Sequence, residues 1–81
     1  MGTFDLVPRE LVPPYLRVAA ELREKITSGD LLPGEQVPSL DRLAETYSIS
    51  RTTARRAVQV LMAEGLVESR PRWGVFVAER R

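Results

Sequence analysis

Residues 50–57 read Ser50-Arg51-Thr52-Thr53-Ala54-Arg55-Arg56-Ala57, and the fold follows from how this run must sit. Ser50 is a natural N-cap, and the residues after it propagate a helix. At about 100° per residue, Ala54, Ala57, Val58 and Leu61 share one face, while Thr52, Arg55, Arg56 and Gln59 take the opposite one, with Arg51 at the leading end. A helix N-terminus offers unpaired backbone N–H groups and a positive dipole end to phosphates. Arginine adds a planar fork that can grip guanine O6 and N7 together. An apolar inner face beneath hydroxyls and guanidiniums is the pattern of a helix that reads duplex DNA.

The segment before it supplies a second helix. Pro38-Ser39 opens it with Ser39 as cap, Asp41 suits its positive end, and Leu40, Leu43, Ala44 and Tyr47 form its apolar stripe. Three residues, Ser48 to Ser50, separate it from the third helix, which runs to about Glu64 and stops at Gly65. Two short helices joined so tightly form a helix-turn-helix with Ile49 as the buried pin. Further upstream, Pro14 suits a first helical turn, and Tyr15, Ala19, Leu22 and Ile26 mark one face of a first helix that Gly29 ends. Pro33-Gly34 signals a turn, and Gln36-Val37 can form a short strand. Residues 1–13, with Pro8 and Pro13 and no periodicity, read as an extended arm.

Beyond Gly65 the period changes. Leu66 to Arg70 and Val75 to Ala78 are β-prone segments around Pro71-Arg72-Trp73-Gly74. A hairpin after the recognition helix is a wing. The fold class predicted is mainly α with a small β-hairpin, a three-helix winged helix-turn-helix over residues 14–78, with 79–81 as a C-terminal tail.

Composition narrows the function. An 81-residue chain makes one small domain, burying only ~60% of its unfolded surface. It has no cysteine or histidine, which removes thiolate metal sites, the commonest zinc ligand and the usual general base. With no glycine-rich phosphate loop either, an enzyme has almost nothing behind it, and no catalytic residue, metal or cofactor is expected. No apolar run approaches the ~20 residues that span a bilayer, and no signal peptide is evident, so the expected location is cytoplasmic, away from membranes. Net charge is only +1, but it is unevenly placed. Residues 1–49 hold five basic and eight acidic side chains, whereas residues 50–81 hold seven arginines and three acids. A one-sided nucleic-acid footprint would produce such asymmetry.

Read together, Pro14-Tyr15, Ile26, Gly29, Pro33-Gly34, Pro38-Ser39, Leu43-Ala44, Ser50-Arg51-Thr52-Thr53, Arg55, Glu64-Gly65-Leu66-Val67 and Gly74-Val75-Phe76-Val77 resemble the DNA-binding domain of the gluconate-repressor (GntR) family. The resemblance implies a bacterial transcription regulator, a repressor acting as a dimer on duplex DNA. It also implies that the start of the third helix and the wing read DNA. Carried over, Ser50, Arg51, Thr52, Thr53 and Arg55 become contact residues, with Gly74 in the wing tip and Ser39 facing a phosphate. Arg56 and Arg72 join them as outward cations suited to the DNA backbone.

The chain departs from the family pattern at three places. An arginine that touches DNA often occupies the fourth position of the Pro-Ser motif; here it is Asp41, with Arg42 one step around the helix as the candidate to stand in. Ser48 holds the turn position usually given to glycine. The wing usually reads Gly-x-Gly, whereas this chain has Arg72-Trp73-Gly74. Family regulators also continue into a C-terminal domain that binds a small molecule and drives dimerisation. This chain ends at Arg81, so it is either an excised DNA-binding domain or a short member. No effector site is expected within it, and a homodimer is expected to be weak or DNA-dependent, on an inverted-repeat operator. Trp73 is expected to pack on the hairpin, and Tyr15, Tyr47 and Phe76 to lie in the core. The competing function, a winged helix used as a protein-interaction module, fits the arginine-rich face poorly, since protein contact surfaces favour an apolar centre.

Overall fold

A computed structural model describes residues 11–79. Its elements run α1 (Pro14–Ser28), α2 (Leu40–Tyr47), α3 (Arg51–Ala63), β1 (Val67–Arg70) and β2 (Gly74–Val77). This is the predicted order of three helices and a hairpin. The expected arm lies outside the described residues up to residue 10, as do Arg80 and Arg81 of the expected tail. Among the described residues no helix is long and apolar enough to cross a membrane.

α3 is the central element. Its four predicted inward residues, Ala54, Ala57, Val58 and Leu61, are all buried, and α3 packs against both α1 and α2. Alanine at 54 and 57 lets the neighbouring helices approach closely, and Leu61 fills the space beyond. α1 contributes Val18, Ala19 and Leu22 to this core, α2 contributes Leu43, and Val37, Val67 and Val77 close it from the loop and hairpin. Truncating a fully enclosed leucine such as Leu61 to alanine costs about 2–5 kcal/mol, a large share of a small domain's stability. Of the aromatic residues expected in the core, Tyr15 and Tyr47 are partly buried at its edge, as is Ile49 in the turn, whereas Phe76 does not join it: strand alternation puts it on the other side of β2 from Val75 and Val77, under Arg70.

The two strands pair antiparallel, with Val67 opposite Val77 and Arg70 opposite Gly74. The predicted Gln36-Val37 strand is reduced to a single antiparallel bridge between Gln36 and Phe76. It still fastens the wing to the loop before α2, because Val37 N–H donates to Val75 O (2.7 Å) and Val77 N–H donates to Glu35 O (2.8 Å). A second clamp joins α1 to the end of α3: Arg23 Nε and Nη2 donate to the two carboxylate oxygens of Glu64 at 2.8 and 2.6 Å.

Candidate nucleic-acid interface

The turn between α2 and α3 sets how the third helix is presented. Ser48 ends α2 in the left-handed region (φ 55°, ψ 48°), and its N–H donates to Ala44 O. Ile49 N–H donates to the same carbonyl (3.0 Å). A non-glycine residue held there costs about 1 kcal/mol, so the turn is retained against local preference.

Both helix starts are capped as the sequence predicts. Ser39 Oγ accepts from Arg42 N–H at 3.1 Å, and Ser50 Oγ accepts from Thr53 N–H at 3.0 Å. The two serines then differ. Ser50 also donates its hydroxyl hydrogen to Thr53 Oγ1 (2.8 Å), so Thr53 carries the hydroxyl proton left to offer a ligand. Ser39 keeps its own. No partner for the backbone N–H groups of Arg51 and Thr52 occurs among the described residues. They form the open donor end of α3, where an anion is favoured.

The arginines are placed unequally. Arg55 is exposed on the outer face of α3 beside Thr52, with no carboxylate partner among the described residues. Arg51, at the leading end, forms an ion pair with Asp41 of α2, Nε to Oδ1 at 3.1 Å. Arg56 lies over the Tyr15 ring, 4.5 Å from its centroid. Its charge therefore sits where α3 meets α1, away from Arg51 at the leading end. Arg42 is exposed on α2. Arg70, on β1, pairs with Glu68 at 2.9 Å and covers the Phe76 ring at 4.8 Å.

The wing tip is a tight turn. Trp73 N–H donates to Arg70 O at 2.9 Å across Pro71 and Arg72, and Arg72 has φ 75°. Proline second and a positive φ third is the pattern of a type II turn, which glycine ordinarily fills at the third place. Arg72 thus holds the conformation of the family's missing glycine while exposing a guanidinium. Gly74 is required by its backbone, and a side chain there would also displace Gln36. Its φ is +120°, and a Cβ there would meet Gln36 Nε2 at 2.5 Å. That same Gln36 amide donates to Trp73 O at 2.9 Å, anchoring the tip.

Trp73 departs from expectation. It does not pack on the hairpin but stands 73% exposed. The strands are four residues long, and the aromatic surface of the hairpin is already covered by Arg70 on Phe76. An exposed indole beside Arg72 adds a surface residue that the sequence reading assigned to packing. The signal that could have found it was Pro71-Arg72, whose turn geometry aims the next residue off the sheet.

Known proteins resemble this chain in sequence and in shape. The sequence model of the family described as bacterial regulatory proteins, gntR family, matches residues 14–77. The mannosyl-D-glycerate transport/metabolism system repressor MngR of Escherichia coli is 35% identical over 69 residues, covering 85% of this chain and 29% of its own length. The HTH-type transcriptional repressor NagR of Bacillus subtilis is 35% identical over 68 residues, covering 84% of this chain and 28% of its own. This chain therefore spans under a third of the length of these relatives. Among solved structures, the DNA-binding domain of AraR in complex with operator ORX1 superposes with a TM-score of 0.82 at 32% identity, covering 89% of this chain and 87% of that one.

Proposed function

This chain belongs to the gntR family of bacterial regulatory proteins, and on that footing we propose that it binds duplex DNA sequence-specifically to regulate transcription, as a repressor. The observation that carries the reading is the outer face of α3. There an open helix N-terminus, Thr52, Thr53, Arg51 and Arg55 stand together above a face that is otherwise wholly buried. The superposable AraR domain is solved with its operator, which supports the same use of the fold, and relatives such as MngR and NagR bear the name of repressors.

In this reading Arg51 and Arg55 reach base edges in the major groove, while Ser39, Arg42, Ser50, Thr52, Thr53 and Arg56 meet phosphates. Arg72 and Gly74 bring the wing to the backbone or a narrow minor groove, with Trp73 alongside. Residues 14–78 form the DNA-binding unit. It acts in the cytoplasm, and two copies occupy the halves of an inverted repeat, dimerising weakly or only on DNA. Any effector acts outside this stretch of chain, and the reading requires no metal or cofactor.

The test is a fluorescence-anisotropy titration with random duplex at two salt concentrations, followed by selection of bound sites from a random pool. Affinity should fall at least about tenfold between roughly 50 and 200 mM salt, since binding releases counterions from the phosphates it neutralises. Selection should return a two-fold-symmetric sequence. Salt-independent binding, or no enrichment after selection, would sink the proposal.

A further inference from the structure

The ion pair between Arg51 and Asp41 joins the two helices across the turn, Nε to Oδ1 at 3.1 Å, with the side chains 60% and 83% exposed. Asp41 lies in the first turn of α2, where the positive end of the helix favours a carboxylate. Arg51 leads α3. Asp41 Oδ1 approaches the guanidinium on its Nε side as a charge contact without hydrogen-bond alignment, and neither terminal amino group of Arg51 has a partner among the described residues. A guanidinium left to itself can meet a purine through its Nε edge or its terminal edge, or can swing to a phosphate. One drawn to a carboxylate on its Nε side turns its terminal edge outward, the fork that fits guanine O6 and N7.

We propose that Asp41 is a positioning residue for base reading: it fixes Arg51 in the guanine-reading orientation and withholds it from phosphates, raising selectivity at the cost of general affinity. This deepens the DNA-binding reading and rests on it. The carboxylate also places a negative charge at the rim of the interface, which repels phosphate and penalises registers that bring the DNA backbone to this point. Selectivity is then built by two opposed charges across the turn.

The experiment compares wild type, Asp41→Ala, Asp41→Glu, Arg51→Ala and the Asp41→Ala/Arg51→Ala double variant. Each is titrated by anisotropy against the selected duplex, against that duplex with single base-pair changes, and against random duplex. Asp41 is well exposed, so its substitution leaves the core intact. Asp41→Ala should bind random duplex about threefold more tightly at low salt, since one repulsive charge is gone. It should lose about threefold to fivefold in discrimination at the base pair that Arg51 reads, the scale of an exposed ion pair. Asp41→Glu should keep most of that discrimination, and Asp41→Ala should change none of it once Arg51 is alanine. Affinity rising equally for every duplex with discrimination intact would overturn the proposal, as would the same loss of discrimination without Arg51. If wild type selects no sequence, the DNA-binding reading fails first. If wild type selects a sequence and Asp41→Ala discriminates as well, only the positioning role fails.

Discussion

Arg72 shows how one residue can carry opposed demands. Its φ of 75° suits glycine, yet its guanidinium is the cation of the wing tip. Arg72→Gly should raise the unfolding free energy by about 0.5–1 kcal/mol, because relief of left-handed strain outweighs the added freedom of the unfolded chain. It should also weaken binding, mainly through the salt-dependent part, because a wing cation meets backbone more than base. Urea denaturation and salt-titrated anisotropy on one preparation read both effects. Changes of the same sign in stability and affinity would show that the residue carries only one of the two roles.

At the scale of elements, α3 was the most legible part of the sequence. Its four-residue stripe is buried as spacing demanded, because a central helix enclosed on one side has one way to face. The flanking helices were less so. α1 buries Val18, outside the expected stripe, because its contact with α3 is centred between Val18, Ala19 and Leu22 rather than along Tyr15 and Ile26. α2 is only eight residues long and fully buries one side chain, Leu43. The Asp41–Arg51 pair gave no periodic signal, since it depends on how two helices cross. Trp73 gives no such signal either: turn geometry, and not β propensity, leaves it exposed. Ser48 was foreseen as a glycine-like position, and its φ of 55° bears this out. Ser48→Gly should therefore stabilise the domain by about 0.5–1 kcal/mol without changing sequence preference. A destabilised variant in urea titration would mean that the serine side chain compensates for the strain.

For the whole molecule, the Arg23–Glu64 clamp ties stability to pH. The Arg23 hydrogen bonds hold the Glu64 carboxyl below its ordinary range, so its contribution is present above about pH 4.3 and is lost as pH falls through the lower folded value. Both side chains are over a third exposed or close to it, which limits the contribution to under about 1 kcal/mol. Wild type should be more stable than Glu64→Gln at pH 7 in urea, and that gap should shrink as pH falls through the lowered folded value. A gap that persists in acid would assign the difference to packing instead of charge.

Assembly belongs to the same scale. The three helices spend their buried apolar faces on one shared core; among the described helical residues Leu16 of α1 and Met62 of α3 stay exposed, and Val60 is only partly buried against that core. Sedimentation velocity should find a monomer in free solution and two copies on a duplex carrying both half-sites. Without preformed pairing each copy loses its own translational and rotational freedom, so affinity should fall well below that of a tethered pair. A dimer surviving dilution without DNA would redirect attention to Val60 and Met62.

In the proposed function, sequence is read by the outer face of α3. The most direct measurement is the affinity of Arg51→Ala, Arg55→Ala and Arg56→Ala for the selected operator and for random duplex under one salt condition. Arg51→Ala and Arg55→Ala should each lose about 1–3 kcal/mol on the operator and much less on random duplex, relaxing preference at one or two positions. Arg56→Ala, held over Tyr15, should weaken both duplexes about equally. Arg51 and Arg55 variants that keep wild-type affinity and selectivity would mean that this face does not read sequence.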